Sequence, residues 1–117
     1  HSTADGVHWD FMIETPGGSA LSTWRLARNP AAELAPVAAR RIDDHPPHFL
    51  EYEGELREGR GRVRRVDFGA AILERYDQRG LVAVLSGRVL AGRFAIQPNE
   101  KGDLMFSECE ESVRPAR

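Results

Sequence analysis

Cysteine is nearly absent: Cys109 is the only one in 117 residues. No intrachain disulfide can form, which favours an intracellular, cytoplasmic setting. Long apolar runs are missing too, and none approaches the ~20 residues of a helical membrane span. No signal-peptide pattern opens the chain. Neither sign of charge dominates: sixteen Lys and Arg stand against eighteen Asp and Glu, a net charge of −2. No global field therefore draws the protein to nucleic acid or anionic lipid, and any such binding has to rest on a local patch. Internal repeats and low-complexity linkers are also lacking. What remains, 41% hydrophobic and 29% charged, describes one soluble domain with a single core.

The apolar residues come in short alternating runs. Val7 to Glu14 (VHWDFMIE) reads as a strand with Val7, Trp9, Phe11 and Ile13 on a core face and His8, Asp10, Met12 and Glu14 on the other. Thr15 to Ser19 (TPGGS) turns into a second strand, Ala20 to Leu26, so the two form a hairpin. In the Ala-rich stretch Asn29 to Arg41, Asn29 and Pro30 can start a short helix that Pro36 limits to a turn or two. Further strand-like runs are Phe49 to Leu56, Val63 to Phe68, Ala70 to Tyr76, Leu81 to Ser86, Val89 to Gln97 and Leu104 to Ser107. The expected fold is all-β, a small antiparallel barrel of about eight strands with one short helical segment, spanning 1–107. A polar tail follows over 108–117.

Three features could carry chemistry. His8 and Asp10 lie on one strand face about two residues, roughly 7 Å, apart. With His1 folded back as a third donor they suit a divalent metal. An ordinary solvated strand face has the same composition, and spacing alone does not choose between them. His45 and His48 sit in a proline-rigidified stretch, Asp44 to His48, which also reads as a plain polar turn. Arg57, Arg60, Arg62, Arg64 and Arg65 crowd nine residues. On an extended backbone Arg60, Arg62 and Arg64 share a face that fits a phosphate chain, or one that blunts an edge strand beside Glu51, Glu53, Glu55 and Glu58. No serine sits in a nucleophile elbow, and Cys109 lies in an acidic context that disfavours its thiolate, which argues against covalent catalysis. Trp9, Phe11 and Trp24 read as core.

GVHWDFMIE (6–14), LSTWRL (21–26), DDHPPHFLEYEGEL (43–56) and GRGRVRRVDFG (59–69), with LSGRVLAGRFAI (85–96) similar in style, follow one another in an order and spacing that resembles the 3′-phosphoesterase domain of bacterial DNA ligase D. The likeness is to its small stand-alone relatives in particular, and runs from His1 to about Phe106. It implies a β-barrel hydrolase of DNA repair that removes 3′-phosphates and 3′-ribonucleotides from DNA 3′ ends. The implied cofactor is a divalent metal, manganese first and zinc second. Partners would be DNA or other nucleic acid and a repair ligase or polymerase, with no membrane. By motif position His1, His8 and Asp10 match the metal ligands, and His45 matches a histidine on the scissile phosphate. His45, His8 and Asp10 would then form the catalytic set, and His45 with Arg60, Arg62 and Arg64 the phosphate-binding set. Two positions depart from the family: Met12 replaces an arginine and Phe49 a tyrosine. Losing such an oxyanion donor typically costs ~100- to 1000-fold in rate, so the expected activity is weak or altered. The alternative is a catalytically inactive metal- or nucleic-acid-binding module of the same fold. Family members also carry a strand ahead of the first histidine, which implies a piece upstream of His1.

Overall fold

A computed structural model describes residues 2–3, 6–15, 17–32, 36–55 and 62–109. The chain is all-β. The described residues form β1 (Ser2–Thr3), β2 (Gly6–Val7), β3 (Trp9–Glu14), β4 (Leu21–Leu26), β5 (Val37–His45), β6 (Gly54–Glu55), β7 (Arg62–Val63), β8 (Ala70–Asp77), β9 (Gly80–Ser86), β10 (Ala91–Pro98) and β11 (Leu104–Glu108). The helical segment is one 3-10 turn, Pro47–Leu50. A four-stranded sheet runs β2-β1-β7-β6, and a seven-stranded sheet runs β3-β4-β5-β11-β10-β9-β8. All described pairings are antiparallel. Among the described residues no helix is long and apolar enough to cross a membrane.

The larger sheet curls into a half-barrel. Tyr76, on edge strand β8, donates to or accepts from the Ser22 hydroxyl of β4 at 2.7 Å and sets its ring edge-on to Trp24 at 6.5 Å. A strand at one border thus reaches the strand next to the opposite border. The concave side holds the core: Trp24, Leu26, Val37, Leu81, Phe94, Ile96 and Phe106 are buried, with Trp9 and Phe11 packed against them. Phe11 lies 6.3 Å from Trp24 and 5.4 Å from Phe106, ring to ring, so the aromatic cluster is core. Burying each such side chain stabilises by about 1.5–3 kcal/mol.

Several sequence expectations are corrected. Val7 is 54% exposed rather than core-facing. It pairs with Ser2 in the small sheet, because the ladder breaks at His8 and the alternation starts afresh at Trp9. The Ala-rich stretch gives no helix among its described residues. Asn29 does accept the Ala31 N–H at 2.9 Å, but 37–45 form the longest strand, held between β4 and β11. Pairing on both sides, with Val37 fully buried against Phe106, outweighs the few tenths of a kcal/mol per residue by which alanine favours helix. Where strands are expected over 49–56 and 63–68, the described residues pair only at Gly54–Glu55 and Arg62–Val63. At the other end the ladder outlasts the expectation, with the Cys109 N–H donating to the Arg93 carbonyl at 2.8 Å.

One clasp ties the barrel to the segment that runs along its open side. The Asp67 carboxylate accepts four backbone N–H groups: Phe68 at 2.8 Å, Arg88 at 2.8 Å, Val89 at 3.0 Å and Leu90 at 2.8 Å. Gly87 lies so close that a Cβ there would stand 2.6 Å from an Asp67 oxygen. Burial raises the Asp67 pKa, but the four donors outweigh it and hold the carboxyl below the usual aspartate value.

Candidate functional site

The two border strands of the large sheet, β3 and β8, are not hydrogen-bonded to each other. Along that seam lies a cleft of about 730 Å³. It takes one wall from β3, one from Ala70 and Ala71 of β8, and a third from 63–69. Its polar groups include His8, Asp10, His45 and Arg64, contributed by separate segments of the chain. Met12 and Phe49, the two positions at which the sequence departs from the motifs it resembles, line the same cleft.

Asp10 is the second residue of β3 and lies directly across from Arg25 in β4. Hairpin register puts the two side chains on one face. Arg25 Nε donates to Oδ1 at 3.0 Å and Nη2 to Oδ2 at 3.3 Å, with the Asp10 side chain 3% exposed. This hydrogen bond raises the Arg25 pKa, burial opposes the rise, and the Asp10 charge adds to it. A forked guanidinium on a carboxylate is the strong form of such a pair. A cation bound at Asp10 would have to share both oxygens with Arg25. Among the described residues no three His, Cys, Asp or Glu side chains gather as a metal group. The described donors that the resemblance assigns to metal are therefore His8 and Asp10. They do not make a metal centre by themselves, and His1 lies outside the described residues.

His45 ends β5, opposite Leu21. Its Nδ1 lies 3.1 Å from the Asp43 carbonyl. A carbonyl only accepts, so Nδ1 carries the proton and Nε2 is the nitrogen left for other chemistry. The Phe49 ring packs edge-on against His45 at 5.4 Å, and His48 stacks on Phe49 at 4.6 Å. His48 is exposed and does not line the cleft.

Of the arginine stripe, Arg57 and Arg60 fall outside the described residues. Arg62 and Arg64 are both exposed, while Val63 and Arg65 between and after them are half-buried, as an extended backbone requires. Arg62 and Arg64 border a second hollow of about 710 Å³ with Val7, Trp9 and Glu53. Sequence reasoning singled out Arg60, Arg62 and Arg64 for phosphate and passed over Arg65, which also lines the main cleft. Arg65 Nη1 donates to the Leu50 carbonyl at 3.0 Å, its guanidinium lies 4.1 Å above the Phe68 ring, and its Nε is buried without a partner. The alternation that set Arg60, Arg62 and Arg64 outward already placed Arg65 on the inward face.

The Asp10–Arg25 pair was also missed: counting outward from a 15–19 turn sets Asp10 opposite Trp24, whereas the connection is one residue longer and pairs Glu14 with Leu21 and Asp10 with Arg25. No protein-family model matches this chain, and no curated protein matches it either.

Proposed function

We propose that this chain is a phosphoesterase-like protein of the ligase D type, whose seam cleft takes DNA 3′ ends bearing a phosphate or a terminal ribonucleotide. The supporting observation is the gathering of His8, Asp10, His45 and Arg64 in one cleft, although the chain brings them from distant positions. In this reading His45 holds or protonates a phosphate oxygen through Nε2, its ring oriented by the Asp43 carbonyl. Water attacks phosphorus, the P–O3′ bond breaks, and the departing oxygen takes up a proton. A divalent ion, manganese in the first instance, would polarise the phosphoryl oxygens when bound. His8 and Asp10, with His1, are the residues the resemblance assigns to it. DNA, and a repair ligase or polymerase, are the partners this reading implies.

The Asp10–Arg25 fork favours a second reading, a binder that no longer cuts. There the guanidinium supplies the positive charge that a metal would bring to Asp10, and Met12 and Phe49 leave the phosphate without its usual donors. An end-labelled duplex with a 3′-phosphate or a single 3′-ribonucleotide, incubated with manganese, separates the two. Trimming that falls at least 100-fold in His45→Ala supports the enzyme. Salt-dependent retention of the DNA without trimming supports the binder. Neither retention nor trimming sinks both.

A further inference from the structure

We infer that Arg65 is the residue that grips the terminal phosphate in this cleft, in place of the more exposed Arg62 and Arg64. This assignment rests on reading the seam cleft as a site for 3′ ends. Polar side-chain atoms buried without a partner are few in folded proteins, and each needs a reason. Arg65 Nε is such an atom. Its guanidinium is already placed, by one bond to the Leu50 carbonyl and by the Phe68 ring beneath it. The neighbouring carboxylates leave its charge in place: Asp67 is occupied by four backbone N–H groups, and Glu53 accepts the Arg65 main-chain N–H at 2.7 Å. Among the described residues Arg65 makes no ion pair. A fixed, half-buried guanidinium that makes no ion pair among the described residues suits a dianionic phosphate monoester, an acceptor for charge-assisted N–H bonds. Arg65 brings its guanidinium to the same cleft as Met12, from another wall.

The test compares affinity for one oligonucleotide with a 3′-phosphate and with a 3′-hydroxyl, in buffer with EDTA so that no trimming occurs. Wild type is expected to prefer the phosphate at least 10-fold. Arg65→Met should bring the preference to within about 2-fold, in line with the loss of a charge-assisted bidentate contact. Arg65→Lys keeps a cation and a donor for the Leu50 carbonyl, so it protects the fold, but offers no fork and should lose most of the preference. Arg62→Met should weaken both oligonucleotides alike, since a contact to the chain phosphates carries no end specificity. A wild-type preference that survives in Arg65→Lys and Arg65→Met overturns the assignment and leaves the cleft as a 3′-end site. A wild type without any preference overturns the 3′-end reading and Arg65 with it.

Discussion

Replacing Asp67 with alanine should open the clasp that fastens 67–69 to the β9–β10 loop. The carboxylate serves four N–H donors, of unequal worth. Phe68, Arg88 and Val89 are exposed, and water takes over at each for about 0.5 kcal/mol or less. Leu90 is 7% exposed, so its N–H has little access to water and costs about 1–3 kcal/mol when left bare. The sum is about 1–4.5 kcal/mol. A chain of 117 residues unfolds with about 0.25 kcal/mol/K of entropy, so Tm should fall by about 4–18 °C at neutral pH. The folded carboxyl titrates below its unfolded value of about 3.9. Its contribution is therefore fully present above that value and is lost as pH falls through the lower, folded pKa. Thermal melts of wild type and Asp67→Ala, followed by circular dichroism from pH 7 down to about pH 2.5, should show a gap that narrows only at the acid end. A variant within 1 °C of wild type at pH 7, or a gap that stays constant on acidification, refutes the clasp.

Gly80→Ala should cost about 3 kcal/mol or more, because φ is +141° and a Cβ would stand 1.8 Å from the Ile96 carbonyl oxygen; urea denaturation checks it. Arg25→Met strips the forked guanidinium from a carboxylate that is 3% exposed, and the same assay should show a loss of about 2–3 kcal/mol, below the full cost of breaking a buried pair because Arg25 itself reaches solvent. Tyr76→Phe removes the hydroxyl bonded to buried Ser22 and should lower stability by about 1 kcal/mol, measured in the same way. Met12→Arg restores a donor to the cleft and, if the chain is an enzyme, should raise 3′-phosphate release at least 10-fold in the end-labelled assay; an unchanged rate argues for the binder.

The all-β character was legible because short apolar runs recur about every ten residues between turn residues such as those at 77–80 and 98–103; the alternate burial along β9 appears only in the structure, since 81–85 is apolar throughout. The 9–26 hairpin was legible for the same reason, with TPGGS marking its turn. The β5 strand was not. VAARRIDDH carries strong helix formers, and what fixes its conformation is a pair of neighbours, one of them, β11, some sixty residues downstream. For the site, motif order brought out His8, Asp10 and His45, all of which line the cleft. The partners that set their chemistry come from other strands or loops and leave no local mark. Arg25 reaches Asp10 only through cross-strand register, and Asp67, just ahead of β8, meets Leu90 only because the β9–β10 loop folds over it.

The large sheet is two local meanders, 9–45 and 70–108, joined along one border where Val37 pairs with Phe106 and Ala38 with Met105. Each meander closes through short loops, whereas this splice must wait for distant parts of the chain to meet, and long-range closure is the slow event in folding. Refolding speed should therefore be governed by the Val37–Phe106 junction. The two halves, synthesised as separate peptides, have in that junction the docking edge through which to reassemble.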